Sequence, residues 1–175
     1  MAQPLDIRFA READAALVSA ILIEAATWIA AAGQPLWPID QLTIEAIAPH
    51  VGAGDFILAS VESEGVATAR LTQTDPECWP DALPGVAVYV HRIAVRRAWA
   101  GRGLAAMMLI WCDTHAARLG CGSVRLDCDA RRPKLRALYE GLGFRFHSER
   151  NVGHHTVARY ERNVRRVSQA PAPDV

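Results

Sequence analysis

Apolar and polar residues alternate along this chain with two different periods. Seven segments show the strict alternation or the β-branched runs that are typical of strands. The predicted strands are 5–9, 55–62, 65–73, 86–95, 123–129, 143–150 and 154–161. Four other segments have the apolar spacing of helices, or the residues that start and stop a helix. The predicted helices are 14–32, 40–48, 101–119 and 133–141, with a break at 49–54 after the second of them.

The order of these elements predicts an α/β fold of the α+β kind. At its centre we expect a mixed, mostly antiparallel sheet with helices on both faces. Strand 86–95, helix 101–119 and strand 123–129 form a βαβ crossover, so these two strands are expected to be parallel neighbours joined by a right-handed connection. Strands 55–62 and 65–73 are separated by a short turn next to a glycine, which predicts a hairpin.

Size and composition fit a single domain. The chain has 175 residues, of which 51% are hydrophobic, enough for a real core. We expect one domain over residues 1–162 and a frayed tail over 163–175, where charge, proline and alanine dominate. Segment 74–85 holds three prolines and is long for a loop of a small domain, which indicates a functional role.

The charge balance argues against two classes of partner. The 19 Lys and Arg residues equal the 19 Asp and Glu residues, so no global field favours nucleic acid or an anionic membrane. The N-terminus lacks a basic segment followed by an apolar core, and no apolar run is expected to reach the roughly 18 residues of a membrane span. We therefore expect a cytoplasmic protein that binds neither nucleic acid nor membranes.

The cysteine spacing argues against a metal or redox centre. The four cysteines lack the close pairing that zinc ribbons and redox motifs use. Cys112 and Cys128 lie in apolar segments, where a free thiol behaves as a small hydrophobic side chain. The sequence predicts no metal site and no disulfide.

Two glycines stand one residue apart before the third predicted helix, in the segment WAGRGLAAMM (99–108). A helix N-terminus has unpaired N–H groups and a partial positive charge, and glycine lets a bulky anion approach the backbone. Because Arg102 lies between Gly101 and Gly103, the segment predicts a phosphate or pyrophosphate site. A tight strand-to-helix turn with surface arginines stays open as the alternative, since neither a P-loop nor a dinucleotide-binding glycine spacing is present.

The segments VHRIAVRRAWAGRGLAAMMLIW (90–111) and LRALYEGLGF (135–144) resemble the two central signatures of the GNAT superfamily, the acyl-CoA-dependent N-acetyltransferases. The second signature is complete at Tyr139, Gly143 and Phe144. The first is matched at Gly103 and Ala105 and departs from the pattern at Ala100, where the family has Gln or Arg. At Arg132, related members often carry Asn. The resemblance is greatest to bacterial members with a Trp-Pro pair after the first helix, here Trp37-Pro38.

This resemblance implies a GNAT-like fold and a site for acetyl-CoA as co-substrate. The pyrophosphate of acetyl-CoA would bind the backbone N–H groups of Gly101, Arg102, Gly103, Leu104, Ala105 and Ala106. The pantetheine arm would pair, like an added strand, with the backbone of Ile93, Ala94 and Val95. The implied function is an N-acetyltransferase that moves the acetyl group to a primary amine of a small molecule, by direct attack in a ternary complex.

Two residues are candidates for proton transfer. His91 lies on the cofactor strand and has a reference pKa of about 6.5, which suits a general base; a histidine that bonds a backbone carbonyl is the alternative. Tyr139, with a phenol pKa of about 10, can donate a proton to the leaving thiolate, or it can be plain core packing.

The acceptor site is predicted from aromatic and acidic residues. Trp28, Trp37 and Tyr89 are candidate contacts with a small amine, with core packing as the alternative for the tryptophans. Asp127 is a further candidate, unless it pairs with a neighbouring arginine. Strict alternation would place residues 89, 91, 93 and 95 on one face, provided that no bulge intervenes.

Two other functions remain open at the level of sequence. Ala100 and Arg132 leave room for a non-catalytic acyl-CoA-binding regulator. An acyltransferase that acts on a protein or peptide amine would use the same donor site. A homodimer is compatible with the sequence, which does not name the acceptor.

Overall fold

The computed structural model describes residues 4–164, and within them the elements follow the predicted order. The strands are β1 (Leu5–Phe9), β2 (Phe56–Val61), β3 (Glu64–Thr72), β4 (Ala87–Val95), β5 (Ser123–Asp129), β6 (Arg145–Val152) and β7 (His155–Asn163). The α-helices are α1 (Ala15–Ala31), α2 (Ile44–Gly52), α3 (Leu104–Arg118) and α4 (Pro133–Gly141). Short 3-10 turns precede the first three helices, at Glu12–Asp14, Ile39–Leu42 and Arg97–Trp99.

The strands form one sheet in the order β1-β2-β3-β4-β5-β7-β6. Strands β4 and β5 pair in parallel over Ala87–Tyr89 and Ser123–Arg125, as the crossover predicts. The hairpin of β2 and β3 is antiparallel, and Glu62 and Ser63 at its turn have φ angles of 47° and 71°, which match the right-handed twist of the strands. The predicted class, a mixed and mostly antiparallel sheet with one parallel pair, is confirmed.

Two helix boundaries differ from the prediction. The break predicted at 49–54 is wrong, because α2 continues through Pro49 to Gly52. Proline removes one helical hydrogen bond there, but Val51 in the last turn is buried in the core and holds that turn in place. Helix α3 begins at Leu104, not at residue 101, since both glycines before it have a left-handed φ that a helix does not accept.

The described chain forms two compact units, which we call the first and the second unit. The first contains residues 4–72 and 90–111, and the second contains residues 73–89 and 112–164. The single domain over residues 1–162 stays a prediction. Of the predicted tail, residues 165–175 lie outside the described residues.

The core of the first unit joins α1 and α2 to strand residues. Helix α1 contributes Val18, Ile21, Leu22 and Ala25, whose spacing is the helical period seen in the sequence. Phe56 of β2 is fully buried in the same cluster. Of the predicted apolar stripe, Ile21, Leu22 and Ala25 are buried, whereas Leu17, Trp28 and Ile29 are half-buried.

One expectation about membrane spans needs correction. By length and composition alone, Glu12–Ala31 could cross a membrane, with a mean hydropathy of 1.6 over its most apolar window. Seven residues of α1 are buried in the protein, and the core helix of a soluble protein has the same composition. The length and composition of this helix are therefore weak evidence that it crosses a membrane.

The second unit is built around Trp79 of the long loop, which is 2% exposed and packs against Ala87 and Tyr89. The guanidinium carbons of Arg125 and Arg159 lie 4.5 and 4.7 Å from the centroid of the Trp79 ring. Trp79 is thus a core residue. The four cysteines are unbridged, as predicted.

Candidate active site

The backbone before α3 is open and left-handed at both glycines. Gly101 and Gly103 each have φ 77°, and a Cβ atom placed on either would meet no atom within 4 Å. The first backbone bond of α3 runs from the Met107 N–H to the Gly103 carbonyl, at 3.1 Å. The N–H groups of residues 104–106 therefore lack an acceptor within the helix. Free N–H groups at a helix N-terminus are donors that can bind an anion such as phosphate.

The segment leading to these glycines is tied to α1 through Glu24. One carboxylate oxygen of Glu24 accepts the Arg97 N–H and the other accepts Arg96 Nη1, both at 2.8 Å. Arg96 also donates from Nε to the Gly65 carbonyl, at 2.8 Å. These bonds commit Arg96 to the fold. Arg102, in contrast, is an exposed side chain, and its guanidinium carbon lies 4.7 Å from the centroid of the Trp99 ring.

The side chains of strand β4 do not point to alternate faces of the sheet over its whole length. Arg92 has a φ of 52°, which interrupts the extended conformation, so the expectation that residues 89–95 share one face at every second position fails after residue 91. Ala94 is buried in the core of the first unit, whereas Ile93 and Val95 are half-buried. The pairing of β4 with β5 ends at Tyr89, so the backbone of 93–95 lies beyond it.

The side chain of His91 is half-buried. Its Nε2 atom lies 3.2 Å from the hydroxyl oxygen of Thr72 at the end of β3. A hydroxyl group can donate to a neutral imidazole or accept from it, so it orients the ring in either tautomer. The role of His91 as a general base stays a prediction.

The two predicted tryptophans of the first unit differ in their surroundings. Trp28 is half-buried, and the guanidinium carbon of Arg97 lies 5.0 Å from the centroid of its ring. Its buried Nε1 forms no hydrogen bond within residues 4–164. Trp37 packs against the core cluster of α1 and α2, with part of its surface exposed. Trp37 thus has a structural contact, and a contact of either residue with an acceptor stays a prediction.

Tyr139 lies on α4 in the second unit, half-buried between aromatic neighbours. Its ring centroid is 6.2 Å from that of Phe144 and 6.1 Å from that of Tyr160. Burial, followed by the electrostatic effects of Cys128 and Asp127, raises the pKa of Tyr139 above its usual value. Its hydroxyl makes no hydrogen bond to any part of the chain that the structure describes. This phenol therefore keeps its proton at neutral pH and has it available for a ligand.

Tyr89 differs from Tyr139, because both its ring and its hydroxyl contact other residues of the protein. It is 2% exposed, and its hydroxyl accepts a hydrogen bond from Arg125 Nη1 at 3.3 Å. Its ring lies 6.1 Å from that of Trp79 in the core. Tyr89 thus has packing contacts, and its contact with the acceptor stays a prediction.

Asp127 on β5 makes no ion pair among the described residues. The alternative partners were Arg125, Arg131 and Arg132, and of these Arg131 binds Asp129 at 2.8 Å. Arg125 binds Glu161 at 2.6 Å. Burial raises the pKa of Asp127 to about 6, and the carboxylate of Asp75 adds to the rise. Asp127 therefore titrates near neutral pH. Sequence reasoning missed Asp75, and its only signal was the length of the loop that carries it.

Comparison with known proteins decides the family. The sequence model of the Acetyltransferase (GNAT) family matches residues 22–144. The chain belongs to the GNAT acetyltransferase family. A relative in Bacillus subtilis (strain 168), the uncharacterized N-acetyltransferase YesJ, is 28% identical to this GNAT acetyltransferase over 148 residues, which is 81% of this chain and 82% of YesJ.

Solved structures share the fold of this acetyltransferase. A GNAT family acetyltransferase from Listeria monocytogenes 4b F2365 superposes with a TM-score of 0.77 at 21% identity, over 93% of this chain and 98% of the other. The structure of yncA from Salmonella typhimurium, which holds acetyl-CoA, gives a TM-score of 0.69 at 16% identity over 98% of both chains. At these identities the likeness shows the fold alone.

The predicted site residues of this acetyltransferase fall into two groups. The first unit contains the glycine loop, the end of β4 with His91, and Trp28 and Trp37. The second unit holds Tyr139, Tyr89 and Asp127, and of these Tyr89 is bonded through its hydroxyl to Arg125.

Proposed function

We propose that this enzyme transfers the acetyl group of acetyl-CoA to a primary amine of a small molecule in the cytoplasm, by direct attack in a ternary complex. The observation that carries the proposal is the glycine loop before α3, with an exposed left-handed backbone and unpaired N–H groups. Two relatives of the same fold support it, since one structure holds acetyl-CoA and another, PaiA from Thermoplasma acidophilum, holds coenzyme A.

The donor site uses backbone groups more than side chains. The N–H groups of residues 101–106 would bind the pyrophosphate, and Arg102 would add a positive charge beside it. The backbone of 93–95 would pair with the pantetheine arm. Because these contacts come from the main chain, replacement of the usual Gln or Arg by Ala100 removes a side-chain contact and keeps the backbone donors.

The transfer needs two protonation events. The attacking amine must be neutral, and His91, directly or through a water, accepts the proton that the amine loses as the new C–N bond forms. As the C–S bond breaks, the thiolate of coenzyme A receives a proton from the Tyr139 hydroxyl. The raised pKa of Tyr139 makes the phenol a weaker acid than in water, so this proton is given only to a sulfur that carries nearly a full negative charge.

Gly103→Ala tests the donor site. A methyl group on this left-handed residue strains the turn by about 1 kcal/mol and stands where the phosphate would approach, so we expect acetyl-CoA to bind at least about tenfold more weakly. Calorimetric titration with acetyl-CoA measures the change. Gly54→Ala is the matched control, since Gly54 lies in the same unit with φ 79° and equally open surroundings. Gly54→Ala introduces the same backbone strain, and we expect this variant to keep the full affinity for acetyl-CoA.

The comparison separates binding from folding. Equal loss of affinity in both variants would mean that backbone strain alone is responsible, and the anion site would be refuted. Failure of the wild-type protein to bind acetyl-CoA at millimolar concentration would refute the proposed function itself.

His91→Gln tests the general base. We expect kcat to fall about 10²-fold, and we expect the acid limb of the pH–rate profile, set by the imidazole, to disappear. Release of the coenzyme A thiol, followed across pH with an amine panel, measures both. His50→Gln carries the same substitution on α2, where His50 lies 3.5 Å from Asp55, and should leave kcat unchanged. A His91→Gln enzyme with the wild-type profile would remove His91 from the mechanism.

A further inference from the structure

Asp75 in the loop between β3 and β4 is a buried carboxylate with an unused oxygen. The residue is 9% exposed, and its Oδ1 accepts the backbone N–H of Cys78 at 3.0 Å. Its Oδ2 is buried and forms no hydrogen bond within residues 4–164. A buried oxygen of a charged group is costly to leave unpaired, so this oxygen is expected to face a ligand.

A second carboxylate, that of Asp127 on β5, lies beside it in the same unit. The two residues have carboxylate oxygens within 4.8 Å of one another. Neither forms an ion pair with an arginine or lysine among the described residues, because Arg159 binds Asp81 and Arg125 binds Glu161.

Within the second unit, the groups around the two carboxylates add little positive charge. The side chain of Asp127 forms a hydrogen bond with Cys78, which lowers the pKa of Asp127. The negative charge of Glu77 raises that pKa, and His155 lowers it slightly. Burial and the charge of Asp75 together raise the pKa of Asp127, as expected for two carboxylates that share a site without a cation.

The distance between the carboxylate oxygens of Asp75 and Asp127 suits a cation whose charge is on nitrogen. Oxygens this far apart can both lie about 2.8 Å from one nitrogen between them, and an ammonium group has three N–H donors to share. A divalent ion such as Mg²⁺ or Ca²⁺ takes about six oxygen ligands, many more than this pair of carboxylates supplies. An alkylammonium ion needs no such shell, because its remaining surface is apolar.

We propose that Asp75 and Asp127 bind a protonated nitrogen of the acceptor other than its attacking nitrogen, so that the substrate is a small cationic amine. This inference rests on the proposed function and names its substrate class. Asp75 is a specificity-determining residue in this account, and the long proline-containing loop is the element that supplies it.

Trimethylenediamine, a dication at neutral pH, is the probe, and trimethylene glycol is its neutral counterpart. Carboxyl-carbon NMR of the full chain follows the titration of Asp127 with each. We expect the diamine to lower the apparent pKa of Asp127 and the glycol to leave it unchanged. In Asp75→Asn, the dissociation constant of the diamine should rise at least about tenfold. Asp129→Asn, two residues along the same strand, should bind the diamine as the wild type does.

Asp127→Asn provides a second test, read by calorimetry, that does not depend on the folding of Asp75→Asn. We expect the same loss of diamine affinity. Wild-type affinity in both variants would overturn the inference, as would equal binding of the glycol. Displacement of the diamine by micromolar Mg²⁺ would also overturn it, since the pair would then be a metal site.

Acetyl-CoA titrated into the same samples separates the two proposals. Binding of acetyl-CoA without any effect of the diamine on Asp127 would overturn the cation site alone. Diamine binding without acetyl-CoA binding would refute the acetyltransfer function and leave a cation site of another purpose.

Discussion

Tyr139→Phe lowers kcat about 10²-fold and leaves the stability of the protein and its affinity for acetyl-CoA unchanged. The substitution removes only the hydroxyl, which has no hydrogen-bond partner within the described residues, and keeps the ring contacts with Phe144 and Tyr160. General acid catalysis contributes effects of this size. Thiol release under saturating acetyl-CoA measures kcat, and thermal unfolding measures stability.

Tyr160→Phe is the informative control. The Tyr160 hydroxyl accepts from Arg136 at 3.0 Å and donates to Glu140 at 2.8 Å, so its removal should cost about 1 kcal/mol of stability and leave kcat intact. Full kcat in Tyr139→Phe would assign Tyr139 to packing and leave the leaving thiolate without its proton donor.

Asp127→Asn makes the protein more stable at neutral pH. The folded pKa of Asp127 is about 6, above its usual 3.8, so the folded state holds this proton more tightly than the unfolded state does. Ionisation therefore destabilises the wild type progressively as pH rises from about 4 to about 6, and the cost is complete above that range. A shift of about two pKa units corresponds to about 3 kcal/mol, which the variant should recover.

Urea unfolding at about pH 4 and about pH 8 measures the effect, and the two proteins should differ only at the higher pH. Asp129→Asn should act in the opposite direction. Hydrogen bonds from Arg131 lower the pKa of Asp129 to about 2, so its ionised form stabilises the fold at neutral pH and is lost only as pH falls towards 2. An Asp127→Asn protein no more stable than the wild type at pH 8 would show that Asp127 is solvated.

Much of the fold could be predicted because its local signals agree. Strand 123–129 and helix 133–141 were predicted with the bounds that the structure has, since glycines precede the strand and proline starts the helix. Pro49 misled the prediction, because a proline near the end of a helix is a weak stop when Val51 beyond it is buried. Tertiary packing decided that boundary.

The site was less predictable than the fold. The glycine loop could be found from sequence because backbone conformation and helix polarity act locally. Asp75 could not be found from sequence, because its importance depends on its proximity to Asp127. A loop without hydrophobic periodicity carries no signal for which side chain will lie beside it. The loss of alternation in β4 after residue 91 could not be predicted either, since the unusual φ of Arg92 has no local signal.

The stacking of guanidinium groups on Trp79 has a consequence for how substrate is received. Arg159 also donates to the Cys78 carbonyl and to Asp81, and Arg150 donates to the Glu77 carbonyl, so the loop is fixed at several points to the strands beneath it. The conformational entropy of this loop is lost when the protein folds and not when an amine arrives. The carboxylate of Asp75 is thus preorganised, and an acceptor bound as we propose would meet a rigid wall that needs no closing motion.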